Sequence, residues 1–273
     1  MCVATCVIKK ISTGKDVLGV TSVDDELFVL LGQDVDQVAV YSINDYQLLR
    51  HLSVPGLKPH HLNDMTSCVR YKCLYMSDNS DKCIHRYDLR RSDIIQWRVP
   101  GSPGGLSVTP SCNLLVTCWC VPSKLVELSA DSGQCVREIT LQSDIVSPWH
   151  SVQLTTGEYV VCHGVGVDIF LAECLVGDDG QLTYSYGGQS LCEDLNQVCL
   201  VGDDGKVTRS YGGQCGSVVG QLRSPRHLAV DKDSQSIFVA DFYNNRVVLL
   251  SPTLEYVMYV TSVRNCHGHI DYI

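Results

Sequence analysis

Long apolar runs are missing from this sequence. No segment of the 273 residues approaches the ~18 consecutive apolar residues that a spanning helix needs, so no membrane association is expected. The start, Met1 to Lys10, is too short in apolar run for a secretory signal, which points to the cytoplasm. Helical periodicity is missing too: Ala, Leu, Glu and Lys do not cluster at 3.6-residue spacing. No Cys-x-x-Cys pair occurs, so the usual zinc-module spacing is excluded. Neither a Gly-x-Ser-x-Gly elbow, a phosphate loop nor a His-Glu-x-x-His helix is present, and no paired acid or nucleophile stands out. An enzyme is therefore not expected, no cofactor is called for, and no small-molecule substrate is evident. Basic runs are lacking as well. Net charge is −9, and an acidic surface repels phosphate backbones, so RNA affinity near physiological salt should be weak.

Cysteine, by contrast, is plentiful. The 15 cysteines are odd in number and scattered, which reads as reduced, buried thiols rather than a disulfide framework linking distant parts. Cys118 and Cys120 share one strand face, which suits packing better than ligation.

What is there is a repeat. Ser224-Pro225-Arg226-His227-Leu228-Ala229-Val230-Asp231 precedes Ile237-Phe238-Val239-Ala240-Asp241, and then Asn244-Asn245-Arg246-Val247-Val248-Leu249-Leu250. Earlier copies begin at Pro59, Pro103 and Pro148, with a degenerate one around Leu18 to Tyr41. Pro59 to Pro103 is 44 residues and Pro103 to Pro148 is 45. A period in the forties with about four strands per unit is the signature of a β-propeller blade, so the expected fold is all-β. The blades fall at roughly 15–56, 57–100, 101–145, 146–220 and 221–262, in one domain covering 1–273. Residues 2–10 read as one further strand.

The fourth blade is oversized, because Pro148 to Pro225 is 77 residues. It contains a near-duplicate: Cys174 to Gln189 recurs as Cys199 to Gln214, differing only at Gln181/Lys206, Leu182/Val207 and Tyr184/Arg209. Each copy, 173–189 and 198–214, reads as a β-hairpin with an Asp-Asp-Gly turn, and a blade has room for one.

The pattern of proline, two residues, an apolar strand, Val-Ala-Asp, then Asn-x-Arg and another strand resembles the NHL repeat, most clearly over 224–251. That resemblance implies a six-bladed propeller. About five blades are present, which would leave an open ring with bare faces on the first and fifth blades; the competing outcome is a tighter five-bladed ring, with the N-terminal strand pairing beside the fifth blade near 250–260. It also implies a recognition module that binds a protein partner, as relatives do in recruiting substrates for ubiquitin ligases. This sequence carries no RING or B-box cysteine pattern of its own. Some NHL domains bind single-stranded RNA, and one relative is a zinc-dependent peptidyl-amidating lyase; both stand as alternatives.

The repeat singles out candidate rim residues. His61, His150 and His227 occupy one repeat position, filled by Gly105 and Val17 in the other blades. Symmetric histidines converging on an axis can bind a metal. In the lyase, however, the zinc histidines directly follow the proline, where this chain has His60, Gly104, Trp149 and Arg226, so only His60 fits. These histidines are weak metal candidates, and the working assignment is no metal. Trp149 and Arg226 share the position after the proline and read as interface anchors on one rim. Asp78 and Asp241 end second strands and suit Asx turns.

Overall fold

The computed structural model describes residues 11, 13–32, 38–58, 63–164, 172–176, 182–186 and 196–261. Among them are five four-stranded antiparallel sheets, each built from strands adjacent in the blade. Blade one holds β1 (Val17–Val23), β2 (Glu26–Leu31), β3 (Val38–Ser42) and β4 (Leu48–Leu52). Blade two holds β5 (Met65–Cys68), β6 (Cys73–Asp78), β7 (Cys83–Asp88) and β8 (Ile94–Arg98). Blade three holds β9 (Ser102–Val108), β10 (Leu114–Trp119), β11 (Lys124–Leu128) and β12 (Cys135–Thr140). In blade four, β13 (Pro148–Gln153) and β14 (Tyr159–His163) are followed by β15 (Ala172–Val176), β16 (Leu182–Tyr186), β17 (Gln197–Val201) and β18 (Val207–Gly212). Blade five holds β19 (Pro225–Val230), β20 (Ile237–Asp241), β21 (Arg246–Leu250) and β22 (Tyr256–Thr261).

In blades one to four the second strand is apolar on both sides because both sides are covered. Side chains alternate across a strand, so one run feeds two interfaces. In β6, Leu74 and Met76 pack toward blade one, while Cys73 and Tyr75 pack toward blade three. Leu115 in β10 meets Tyr159 and Val161 of β14, whereas Val160 and Cys162 meet Ile237 and Val239 of β20. A leucine or valine buried this way contributes about 1.5–3 kcal/mol before chain entropy is charged against it.

The inner strands pack in series: β1 on β5, β5 on β9, β9 on β13 and β13 on β19. Among the described residues, no comparable packing carries β19 back to β1. The two end faces differ. On blade five, Phe238 is 39% exposed and its neighbours Ala240, Val247 and Leu249 are only partly buried. On blade one, Val29, Leu31, Ala39 and Tyr41 are all buried, with Ile11, Val17 and Leu27 packed against them. The expectation of two bare faces is thus corrected to one. The strand expected at 2–10 lies outside the described residues.

Only one duplicated hairpin joins the blade. Sheet order in blade four is β13-β14-β17-β18, so the second copy supplies its outer strands. In the first copy, β15 and β16 pair with each other and, among the described residues, with no other strand. Side-chain contacts anchor the second copy. Arg209, where the first copy has Tyr184, donates to the Thr253 carbonyl at 3.4 Å. Asn196, just upstream, accepts the Ser224 N–H through Oδ1 at 2.8 Å.

Ten cysteines among the described residues are unpaired thiols, six of them buried. No inter-blade disulfide occurs among them.

A variant lacking residues 172–195 should keep blade four intact. Its thermal midpoint is expected within about 2 °C of the parent, less than the shift that 1 kcal/mol typically gives at this size. Calorimetry of both proteins checks this; a larger fall would mean that the first hairpin supports the blade.

Candidate functional site

Four of the five inner strands start with a distortion. In β19 the register slips between Pro225 and His227, leaving Arg226 as an extra residue. The same slip in β13 leaves Trp149, and in β1 it leaves Leu18. In β9 it falls between Pro103 and Leu106, around Gly104 and Gly105. A β-bulge re-aims the inserted side chain, and here it does so at one end of four of the five inner strands, β5 pairing in even register over its described residues. His60 and His61, at this place in blade two, lie outside the described residues.

The bulges bring Trp149 and Arg226 together. The Arg226 guanidinium carbon lies 5.1 Å from the Trp149 ring centre, 3.9 Å from Phe242 and 5.5 Å from Tyr243. Such stacking attracts a cation to the ring faces. Trp149 is held edge-on to Trp119, with ring centres 5.1 Å apart, and its indole N–H donates to the Gly164 carbonyl at 2.9 Å. The Trp119 indole N–H donates to the Pro148 carbonyl. Arg226 is half-buried and makes one side-chain hydrogen bond, from Nε to Ser224 Oγ at 3.3 Å; among the described residues it forms no ion pair. Among the described residues no carboxylate meets its other N–H donors.

Asp241 builds this rim from below. Fully buried, it accepts the Arg223 N–H at 2.6 Å, Asn244 Nδ2 at 2.8 Å and Arg246 Nε at 2.7 Å. The remaining Arg246 nitrogens donate to the Ser217 and Gln221 carbonyls, which fixes the loop before β19. That loop displays Val218 and Val219, 62% and 57% exposed. Asp78 does similar work in blade two, accepting the Lys58 N–H at 3.0 Å and the Asp81 N–H at 2.9 Å. Both aspartates therefore tie the preceding linker to a hairpin end, a longer reach than the local Asx turn expected.

Deeper along the axis, Asp64 joins the histidines. Its Oδ2 accepts the Leu106 N–H at 2.8 Å and its Oδ1 accepts the Met65 N–H at 2.8 Å. His150 Nε2 donates to the Leu106 carbonyl at 3.1 Å. Blades two and four thus hold both polar groups of one residue of blade three. Gly105 is required beside this clamp, because a Cβ there would lie 2.5 Å from His150 Cδ2. The exposed His227 ring stacks on His150 with centres 4.0 Å apart. Donor atoms of Asp64, His150 and His227 all lie within 4.8 Å of one another. The repeat alignment does not single out Asp64, which lies outside the shared histidine position and carries no motif of its own. Burial raises the Asp64 carboxyl above its ordinary range, and burial together with the His227 ring pushes His150 well below the usual histidine value. Burial also lowers His163, at the end of β14 and 3.3 Å from the Cys199 sulfur, to about 4.

These features define a class: the chain is a five-bladed β-propeller of four-stranded antiparallel blades, with a polar axis and an aromatic–arginine rim. No protein-family model and no curated protein matches it. Solved structures share its fold. A chain of the nidogen/laminin complex superposes with a TM-score of 0.61 at 10% identity, covering 91% of this chain and 81% of that one. The Swd1 β-propeller domain from Myceliophteria thermophila gives 0.54 at 10%, covering 91% and 74%. Hydrazine synthase from Kuenenia stuttgartiensis gives 0.56 at 14%, covering 85% of this chain; this chain spans 64% of that protein. The fold thus serves enzymes and protein assemblies alike. Among the described residues, no helix is long and apolar enough to cross a membrane.

His163 sets a pH dependence. Its folded value of about 4 lies below the ordinary 6.5, so the unfolded chain binds the proton first. Its contribution is fully present above 6.5 and is lost as pH falls toward 4. Between pH 7 and pH 5 this should cost about 2 kcal/mol. Denaturant titrations at both pH values are expected to show at least that loss, since burial also holds His150 and His85 low, and His163→Gln should reduce it by about 2 kcal/mol; an unchanged loss in the variant would contradict the assignment.

Proposed function

We propose that this chain is an NHL-type propeller that acts as a non-enzymatic recognition module, binding a protein partner through the rim that carries Trp149 and Arg226. One observation carries the reading: a half-buried guanidinium, stacked on three aromatic rings, has no carboxylate partner among the described residues. Arginine and aromatic groups packed in this way dominate interface energetics. The free N–H donors suit a carboxylate of the partner, because guanidinium and carboxylate pair in a fixed fork geometry. Val218 and Val219 add exposed apolar surface beside them. The NHL assignment is supported by the wiring of Asp241, Asn244 and Arg246, the residues of the repeat pattern. A ubiquitin-ligase context rests on that resemblance alone. Unpaired thiols favour a reducing compartment such as the cytoplasm.

Single-stranded RNA is the second reading, since aromatic rings and arginine also stack on bases. The net charge of −9 weighs against it. Lyase chemistry would have to use the axial Asp64, His150 and His227. Asp64 and His150 are already engaged by backbone groups there, which favours a structural role.

A photo-cross-linking amino acid at Tyr243, on the rim, is expected to capture a protein in cells. The same probe at Ser234, on the turn at the other end of β19, is expected to capture none. With the captured partner purified, Arg226→Ala should weaken binding about 30-fold, the ~2 kcal/mol of a hot spot. Equal capture from both positions, or full affinity in the variant, would overturn the rim assignment. Capture of RNA alone would move the reading to the second.

A further inference from the structure

We propose a second site, remote from the rim cluster: Asp78, Cys83 and His85 of blade two form a preorganised three-ligand site for zinc or a similar thiophilic divalent cation.

The strand geometry puts the three donors on one face. Asp78 and Cys83 are directly opposed across the β6–β7 pair, and His85 follows Cys83 by two residues on the same strand. All three are buried, at 0%, 4% and 0% exposure. Cys83 Sγ lies 3.6 Å from His85 Nε2, and His85 Nε2 lies 3.5 Å from Asp78 Oδ2. The nitrogen–oxygen separation is too long for a good hydrogen bond. It fits ligands placed around a common centre. Tetrahedral zinc with ordinary bond lengths sets sulfur and nitrogen about 3.6 Å apart and nitrogen and oxygen about 3.4 Å apart. Two of the three donor separations thus already match a zinc centre, and all three donors lie within 4.8 Å of one another.

Their surroundings hold them there. The backbone N–H groups of Lys58 and Asp81 fix the Asp78 carboxylate. The other His85 nitrogen, Nδ1, is buried and has no hydrogen-bond partner in the structure, so no second contact commits Nε2 to carry the proton. One thiolate, one carboxylate and one divalent cation sum to zero charge, which suits a buried site. Three protein ligands leave a fourth position for water or a partner's side chain. The axial group of Asp64, His150 and His227 contains no sulfur, so the two sites can be told apart spectroscopically.

The test uses the full chain, reduced and stripped of metal, titrated with cobalt(II) and then zinc. One equivalent of cobalt should give a cobalt–thiolate charge-transfer band that one equivalent of zinc abolishes. Cys83→Ser should lose the band, His85→Gln should weaken zinc by about 100-fold or more, beyond the usual effect of an outer-shell partner, and Cys118→Ser should keep both. X-ray absorption on the zinc-loaded parent needs no variant, and should find one sulfur with the remaining ligands nitrogen or oxygen. Absence of a thiolate band, a band that survives in Cys83→Ser, or a shell with no sulfur or several sulfurs would each overturn the proposal.

Discussion

A single residue of blade three is gripped from both sides, and the geometry of the rim depends on that grip. Inner strands of a propeller converge on the axis, where their backbone groups lie beside few other donors and acceptors. Leu106 resolves this with its neighbours' side chains: its N–H meets the Asp64 carboxylate and its carbonyl meets His150. A hydrogen bond to a charged group inside a protein contributes more than a neutral one, and leaving the partner unmade costs more still. Three blades are thereby registered against each other along the axis, in addition to the apolar sandwiches between their faces. Smaller polar ties reinforce this: Thr21 Oγ1 meets Ser67 Oγ, and Thr117 Oγ1 meets Ser151 Oγ, each at 2.7 Å across a blade boundary.

The rim follows from the axis. His150 belongs to the clamp, and Trp149 is its immediate neighbour, displaced by the bulge. His227 stacks on His150, and Arg226 is displaced in the same way beside it. One repeated backbone irregularity thus separates two jobs between adjacent residues. The histidine joins the axial group, and the residue before it joins the aromatic–arginine cluster, where Trp149 is buried and Arg226 half-buried. The aspartates at the ends of β6 and β20 serve the same end of the blades by fastening the linkers that enter them.

Much of this was legible in the residues. The proline period and the apolar second strands gave the blades, because a strand covered on both faces has to be apolar throughout. The shared position of Trp149 and Arg226 was visible as repeat alignment. Their meeting was not, since the bulge that aims them is set by pairing with β14 and β20. Asp64 was missed because its partner is a backbone group 42 residues away. The choice between the duplicated hairpins could not be made from identical strands such as Cys174-Leu175-Val176 and Cys199-Leu200-Val201. Contacts of Arg209 and Asn196 with blade five and its linker accompany the choice. The buried end face of blade one was likewise hidden, because burial depends on what covers a strand and not on its own composition.

The dependence of the rim on the axial clamp is open to direct measurement. Hydrogen exchange can follow the Trp149 indole N–H, which is buried against the Gly164 carbonyl, beside the amides of β6 and β7. In Asp64→Ala the account predicts faster exchange of the Trp149 indole, with the β6–β7 amides keeping their protection. Unchanged Trp149 protection in a folded variant would contradict it, and would mean that the rim is held without the axis.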